Sequence, residues 1–386
     1  MSQLGTQAFQ VLALYWLASE TGTSGAGAVF MALMLIPPVL LGPWLASQSK
    51  RWPTKRVLVG CDALSGLAAL PLALALVLEA PAGVTVGLML ITTAMLSTVN
   101  AMLMPVLHAS VPVLVADKDL TKANSWMLTT HQLAAVAGQG LGGVLYAVAG
   151  PLVLCLFNSI GFLLSAAWLN TISHPELKTA ASKVDKPSAL AAFRTLRTNA
   201  EFCWLAGVSA LFNLLYAPWL VLLPFHLAGT GQMRAQDLGM ALAAYGAGSL
   251  TGASVLKNLV RAVGTNLLGG TLLCLSAGLI LLGSVQGVLA IAGVLFFLGA
   301  GIGIANVQTL TRVQTLVPAG LRTEAVAVLR TSVHLATPVG FAVVAICHQG
   351  LNMLPGDVYQ VCGAVLGLAL IPLVRHLSPK GNRSSG

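Results

Sequence analysis

Apolar stretches of about 20 residues follow one another along almost the whole chain, and they limit the folds that it can adopt. Of its 386 residues, 56% are hydrophobic and only 8% are charged, whereas soluble domains carry about 25% charged residues. The strands of a membrane barrel alternate apolar and polar residues, and these stretches do not alternate. The fold class is therefore predicted to be an all-α polytopic membrane protein.

Twelve such segments can be drawn along the chain. They are predicted at residues 1–20, 24–48, 55–79, 83–110, 120–149, 151–172, 199–228, 235–257, 263–285, 288–315, 320–348 and 354–376. The first is unusual because its apolar run, Phe9 to Ala18, is short. We expect the true start to lie upstream, so that this helix is truncated at its N-terminus; the alternative is a shortened span.

The basic residues alternate between the two sides of these segments. Of the 20 Lys and Arg residues, all except Arg234 and Arg330 fall in alternate loops on one side. Loops rich in Lys and Arg face the cytoplasm, so both termini are predicted to be cytoplasmic, in the inner or plasma membrane of a bacterium. The net charge of +9 does not indicate nucleic-acid binding, because the basic residues are scattered among loops.

A long polar stretch, Ser173 to Thr198, divides the segments into six and six. Repeated halves joined by a linker are typical of secondary transporters. The predicted organisation is a six-helix half at 1–173, a cytoplasmic linker at 174–198 and a second half at 199–386.

Short motifs in the loops and helices carry a family resemblance. They are Leu4-Gly5-Thr-Gln7, Pro112-Val-Leu-Val, Leu120-x-x-Ala-Asn124-Ser125, Ala217-Pro218-x-x-Val-Leu-Leu-Pro224 and Gln314-x-Leu-Val-Pro318. With the two halves, they resemble the drug–proton antiporter branch of the major facilitator superfamily, which includes macrolide and enterobactin exporters. The resemblance implies efflux by alternating access, with a cavity lined by the first, fourth, seventh and tenth segments.

Two loops depart from the family pattern in opposite senses. Lys50, before Arg51, stands where the family has an aspartate, and Glu324 stands in a normally basic sequence after Arg322. Because the resemblance implies that these loops meet, we expect a charge-swapped latch between Lys50 and Glu324. The alternatives are an alignment slip or two solvated charges worth about 0–1 kcal/mol.

A glycine-rich motif in the fifth segment departs from the family as well. The sequence Gly138-Gln139-Gly140-Leu141-Gly142-Gly143 resembles the antiporter motif Gly-Pro-x-x-Gly-Gly, with Gln139 in place of the proline. Glycines allow close helix approach, whereas proline kinks a helix. The close approach is expected to persist and the kink is in doubt. Gly248-x-x-x-Gly252 and Gly299-x-x-x-Gly303 are interpreted as packing motifs.

Ionisable groups inside membrane segments are costly and are therefore candidates for function. The candidates for proton coupling are Asp62, His131 and His334, since histidine titrates near neutral pH. The alternative for Asp62 is a structural partner of Arg51, Lys55 or Arg56. For the two histidines the alternative is uncharged helix packing.

Polar and aromatic residues of several segments are predicted to line a substrate cavity. They are Asn100, Gln132, Asn213, Asn306, Gln308, Arg330, Trp16 and Tyr216. A few polar groups among apolar walls suit an amphipathic ligand, and Arg330 is a candidate anchor for an anion unless it snorkels to the surface. The alternatives for the others are interhelical hydrogen bonds or a position at the membrane interface.

Other classes of protein find little support in the sequence. The six cysteines have no metal-ligand spacing, so no metal and no cofactor are expected. We find no Ser/His/Asp set or paired carboxylates for a membrane enzyme, no phosphate-binding loop for an ATP-driven pump and no added domain for a sensor. The predicted function is monomeric, proton-coupled export of a small drug-like molecule across the bilayer. A dedicated siderophore or metabolite exporter and an uncoupled facilitator remain alternatives.

Overall fold

The computed structural model describes residues 2–49, 51–115, 119–172, 196–216, 219–229, 234–263, 267–317 and 322–377. In these ranges the regular structure is helical. The helices are α1 (Ser2–Thr21), α2 (Ser24–Ser49), α3 (Thr54–Ala68), α4 (Leu70–Val77), α5 (Ala82–Leu114), α6 (Leu120–Thr171), α7 (Ala200–Tyr216), α8 (Trp219–Ala228), α9 (Ala235–Val263), α10 (Leu267–Ser284), α11 (Val288–Leu316), α12 (Arg322–Ala345) and α13 (Pro355–Leu377). A π-helical turn, Ile346–Gly350, extends α12.

Glycine and proline residues set the helix limits. Gly22 has a φ of 61° after the end of α1, which is a common way to end a helix. Pro53 and Pro81 precede α3 and α5, and Pro71 near the start of α4 separates it from α3 within the predicted third segment.

The 52-residue α6 contains two crossings rather than one. Gly150 has a non-helical backbone (φ 74°, ψ −178°) and is followed by Pro151. A straight helix of this length would measure about 80 Å, more than twice the apolar thickness of a bilayer. The break confirms the predicted boundary between the fifth and sixth segments.

Eight of the described helical stretches are long and apolar enough to cross a membrane, and Pro355–Ile371 is a shorter apolar helix. One of the eight, Thr129–Thr171, includes the break at Gly150. Among the described residues, ten of the twelve predicted segments correspond to one or two helices each, and the fifth and sixth share α6. The predicted class, an all-α polytopic membrane protein, is confirmed.

The helices form two compact units. The first comprises Met1–Asp185 with Leu227–Ala243, and the second comprises Lys186–His226 with Ala244–Gly386. The predicted linker 174–198 lies outside the described residues except for 196–198. The three-part division of the chain therefore stays a prediction.

Helix pairing follows one scheme in both units. In the first, α1 packs on the first half of α6, α2 on α5, and α3 on the second half of α6. In the second, α7 packs on α12, α9 on α11, and α10 on α13. Counted along each half, these are in both cases segments one and five, two and four, and three and six, as expected for repeated halves.

The contact between α9 and α11 is made by the two predicted packing motifs. A Cβ on Gly248 or Gly252 would run into the backbone of Phe296 or Ala300. In return, a Cβ on Gly299 or Gly303 would meet the backbone of α9. The two motifs face each other in the second unit, which confirms the packing interpretation.

Serine hydroxyls tie helices together in both units. Ser159 of α6 donates to the carbonyl of Gly66 in α3. Ser276 of α10 donates to the carbonyl of Gly363 in α13 at 2.6 Å. Both bonds join the third and sixth segments of their half, where small residues allow the backbones to approach.

Candidate functional site

A cavity of about 90 Å³ lies inside the first unit. Its walls are formed by α1, α2, α3, α5 and the second half of α6. Its lining residues are Gln3, Thr6, Phe9, Gln10, Phe30, Met34, Ser65, Thr93, Leu96, Ser97, Asn100, Leu103 and Phe162. They are uncharged throughout, and polar and apolar side chains are mixed. Asn100, one of the residues predicted to line a cavity, belongs to this lining.

Three of the lining hydroxyls donate their protons to backbone carbonyls. Thr6 donates to Ser2 O at 3.1 Å, and Thr93 donates to Met89 O at 2.8 Å. Ser97 donates across to Leu33 O of α2 at 2.7 Å. A hydroxyl carries one proton and two acceptor lone pairs. These three groups therefore offer the cavity acceptors rather than donors.

Asp62 lies one helical turn from this cavity. Its side chain is 4% exposed, and its Oδ2 accepts a hydrogen bond from Ser165 Oγ at 2.5 Å. Asp62 precedes the lining residue Ser65 by three positions on α3, and Ser165 follows the lining residue Phe162 by three on α6. Residues three apart share a helix face, so the bonded pair continues two of the cavity walls.

Lys55, one of the basic residues near Asp62 in sequence, has other contacts. The Lys55 ammonium donates to the carbonyls of Asn170 and Ile172 at 2.7 and 2.8 Å. These carbonyls are at the C-terminal end of α6, where cations are favoured by the helix dipole. Lys55 thus caps a helix, and the partner that the structure gives to Asp62 is a hydroxyl.

The glycine-rich motif of the fifth segment allows α6 to pack closely against α1. A Cβ on Gly138 would lie 2.6 Å from Leu4 O, and a Cβ on Gly142 would lie 2.8 Å from Ala8 Cα. Between them, Gln139 Nε2 donates to Gln7 Oε1 at 3.1 Å. The residue that stands in place of the family proline thus forms a side-chain bond across this contact.

Gly143, the last glycine of the motif, meets another helix. A Cβ there would lie 2.6 Å from Ala235 O and 3.0 Å from Gly239 Cα, at the start of α9 and still within the first unit. The motif therefore allows close approach on two sides of α6, as the sequence predicts for its glycines.

We predict that Gln7 and Gln139 stabilise the first unit as a pair. Replacing either glutamine by alanine should lower the free energy of unfolding, because the remaining partner loses its hydrogen bond. In a double-mutant cycle the coupling should be about 1 kcal/mol. Thermal unfolding of the purified protein measures it, and strictly additive effects would show that the two side chains act independently.

The remaining predicted residues of the first unit lie outside the cavity lining. Trp16 is buried in α1. In the first half of α6, Gln132 is partly buried and His131 is exposed. Arg51 is exposed in the turn before α3. Lys50 and the side chain of Glu324 lie outside the described residues, so the latch stays a prediction.

In the second unit the predicted residues lie on three helices that pack together, α7, α11 and α12. Asn213 Nδ2 donates to Ser209 O on its own helix at 2.8 Å. Tyr216 is buried and stacks on Phe212 with ring centroids 4.7 Å apart. The side-chain amide atoms of Gln308 are buried without a hydrogen-bond partner.

Three further residues of this unit face more open surroundings. Asn306 and Arg330 are exposed, and His334 is partly buried. Arg330 and His334 are four residues apart on α12 and therefore share one helix face.

Sequence reasoning did not anticipate most of the cavity. Ser65, Thr93, Ser97 and Ser165 were overlooked because hydroxyls in apolar helices commonly bond to their own backbone. Ser65 lies three residues from Asp62, and Thr93 lies four residues from Ser97; this helical spacing was the one available signal. Asn158, which is fully buried against Gly5 with both polar side-chain atoms unpartnered, was also overlooked.

Comparison with known proteins places this geometry in a family. The sequence matches the Major Facilitator Superfamily over residues 1–341. Macrolide efflux protein A of Streptococcus pyogenes is 21% identical over 229 residues, which are 58% of this chain and 55% of that protein. The chain thus matches about half the length of this relative.

Solved structures share the fold at low sequence identity. A bacterial homologue of the iron transporter ferroportin, in its inward-facing state, gives a TM-score of 0.74 with 19% identity over 97% of this chain and 96% of that one. Peptide transporter POT in complex with sulfate gives 0.72 with 13% identity over 97% and 92% of the two chains. With the family match covering most of the sequence, these findings show that the chain belongs to the Major Facilitator Superfamily, a family of transporters rather than enzymes.

Proposed function

We propose that this transporter exports a small amphipathic, drug-like molecule from a bacterial cell by alternating access, in exchange for protons. The observation that carries the proposal is the buried Asp62, held by one hydroxyl, one helical turn from a cavity that mixes amide, hydroxyl and phenylalanine side chains. The similarity to a macrolide efflux protein supports the direction of transport.

Asp62 is the proposed site of proton coupling. A charged carboxylate inside a membrane-spanning helix is costly, and binding of a proton removes that charge. A change of charge at this position alters the balance between two conformations that solvate it differently. His131 and His334 are the reserve candidates, since each lies on a membrane-length helix.

The cavity is the proposed place for part of the substrate. Its apolar walls would take a hydrocarbon surface, and its few polar groups would fix orientation. The other predicted residues, among them Gln132, Asn306, Gln308 and Arg330, are proposed to complete the substrate path. The protein is proposed to work as a monomer in the plasma membrane with both termini in the cytoplasm, as the distribution of basic residues favours.

Transport by the purified full chain in proteoliposomes tests this function. An imposed pH gradient should drive uptake of at least one compound from a panel of lipophilic cations, macrolides and siderophores. Uptake of siderophores alone would favour a dedicated siderophore exporter over a drug exporter. Flux that ignores the gradient would identify an uncoupled facilitator and refute proton exchange.

We also propose that Lys50 and Glu324 form a latch between the two halves. Reversing Lys50 to glutamate should impair transport by placing two acids together, and adding Glu324→Lys should restore it. Initial rates in the same vesicles measure both steps. If the double variant transports as poorly as the single variant, the proposed latch is refuted.

A further inference from the structure

We propose that the first unit binds an anionic phospholipid on the exposed surface of α3 and the second half of α6. The headgroup would lie at the end of these helices that the basic loops favour as cytoplasmic. This lipid lies outside the substrate path, so its binding is independent of the transported molecule and of proton exchange. The basis is a group of tryptophan and arginine side chains at one end of an exposed apolar surface.

The seven tryptophans are divided unequally between the two ends of the helices. Trp16 and Trp219, in the parts of their segments nearer the opposite side, are buried. The other five lie near helix ends on the side of the basic loops and are 52–73% exposed; they are Trp44, Trp52, Trp126, Trp168 and Trp204. Exposed tryptophan favours the interface between lipid and water. Exposed tryptophan therefore marks one interface of this protein and not the other.

Two of the exposed tryptophans belong to the place where α3 begins and α6 ends. The Lys55 ammonium holds these two helix ends together, since it donates to Asn170 O at 2.7 Å and to Ile172 O at 2.8 Å. Trp52 precedes Lys55 by three residues, and Trp168 precedes Ile172 by four. Both indoles are thus about one helical turn from the contact that joins the helices.

An apolar surface continues from this end along both helices. Its members are exposed side chains: Leu64, Leu67 and Leu74 of α3, and Ile160, Leu164 and Trp168 of α6. On each helix they lie on the side opposite to the residue that lines the cavity, Ser65 or Phe162. The helices touch where Ser159 donates to Gly66 O, so the two rows are neighbours. Nothing lies within 4 Å of a Cβ built on Gly60, which leaves open space at the headgroup end.

Arginine supplies the charge that selects the headgroup. Arg51 and Arg56 are exposed before and after Lys55, and the first turn of α3 contains no acid. Arg56 precedes Gly60 by four residues and therefore shares its helix face. A guanidinium group binds a phosphate through two parallel hydrogen bonds, and basic residues at a membrane surface attract anionic lipids. Phosphatidylglycerol brings that phosphate with a net negative charge, whereas phosphatidylcholine also brings an ammonium group.

The corresponding helix pair of the second unit provides an internal comparison. α10 and α13 are the third and sixth segments of their half, and they pack on each other as α3 and the second half of α6 do. The sequence contains no tryptophan after Trp219, so neither of these helices carries one. The combination of arginine, tryptophan and apolar surface is therefore specific to the pair in the first unit.

Brominated lipids test the proposal on the unaltered protein, because bromine on an acyl chain quenches the fluorescence of a tryptophan that it touches. The purified full chain is placed in nanodiscs of phosphatidylcholine with a minor fraction of phosphatidylglycerol. Either that phosphatidylglycerol or an equal amount of the phosphatidylcholine carries the bromine. Quenching by the brominated phosphatidylglycerol should be about twofold stronger. Equal quenching by the two lipids would overturn the proposal.

Two pairs of variants locate the lipid. Trp168→Phe should remove much of the extra quenching, whereas Trp204→Phe, at an exposed tryptophan of the second unit, should not. Arg56→Gln should weaken the preference for phosphatidylglycerol about fivefold, whereas Lys122→Gln, at an exposed cation near the start of α6, should not. Equal losses in Arg56→Gln and Lys122→Gln would show that the charge of the whole face attracts the lipid, which refutes the site.

A soluble phosphate compound is the other possible ligand of these arginines. Glycerol phosphate carries the headgroup chemistry without acyl chains, and it can be added to the same nanodiscs. It should leave the extra quenching unchanged, because it makes no contact with the apolar rows. Loss of the extra quenching at a glycerol phosphate concentration equal to that of the lipid would identify a soluble ligand and overturn the assignment to phospholipid.

Discussion

Replacing Asp62 by asparagine is expected to abolish proton-driven accumulation of substrate while exchange down its own gradient continues. The amide has nearly the shape of the carboxylate and can still accept a hydrogen bond from Ser165 Oγ, but it cannot bind and release a proton. One exchanged proton sustains about a tenfold substrate gradient for each pH unit. That accumulation should fall to none in the variant, as measured by uptake into proteoliposomes.

Two further variants separate charge from structure at this site. Asp119→Asn removes an exposed acid at the start of α6 and should leave accumulation unchanged. Ser165→Ala removes the hydroxyl partner and should alter the pH at which transport is half-maximal while accumulation persists. Full accumulation by Asp62→Asn would exclude Asp62 and direct attention to His131 and His334.

Replacing Gly252 by leucine is expected to destabilise the second unit severely. A Cβ at this position would lie 2.6 Å from the carbonyl carbon of Ala300 and 2.7 Å from its Cα. Helix backbone cannot move aside as the end of a side chain can, so α9 and α11 must separate. We expect a loss of about 3 kcal/mol, seen as a fall in melting temperature of about 5–10 °C.

Gly293→Leu is the matched control for this effect. Gly293 lies on α11 itself, and nothing stands within 4 Å of a Cβ built there. Its substitution should leave the melting temperature nearly unchanged. If the two leucine variants unfolded at the same temperature, the close contact between α9 and α11 would not be what holds these helices together.

The helices could be predicted from sequence because few backbone conformations are stable in lipid. Every backbone polar group must be paired in the bilayer, so a long apolar run forms a helix. The boundary at Gly150 and Pro151 was predicted for a similar reason, since neither residue favours a continuous helix. The π-helical turn at Ile346–Gly350 could not be predicted from sequence, because no residue type is diagnostic of it.

The sequence predicts that these glycines allow close helix contact, but it does not predict which helices meet. Small residues four apart indicate close helix approach, and Gly248, Gly252, Gly299 and Gly303 do approach closely. That these motifs pack against each other depends on the order of helices in the bundle. The bond from Gln139 to Gln7 depends on it as well.

The candidate site was the least predictable part. Buried ionisable residues are rare in such a chain, so Asp62 was found, but the charges nearest in sequence suggested a basic partner. The structure gives it Ser165 instead, 103 residues away. Lys55 binds carbonyls at the end of α6, because those groups have no partner within the helix.

The most direct test of the central claim is to follow protons while substrate moves. Proteoliposomes with a trapped pH dye, without any imposed gradient, receive the transported compound on one side. Proton exchange predicts that the compound entering the vesicles drives protons out, so that the lumen becomes alkaline in wild type and not in Asp62→Asn. Entry of the compound with no change in luminal pH in the wild type would contradict proton-coupled export.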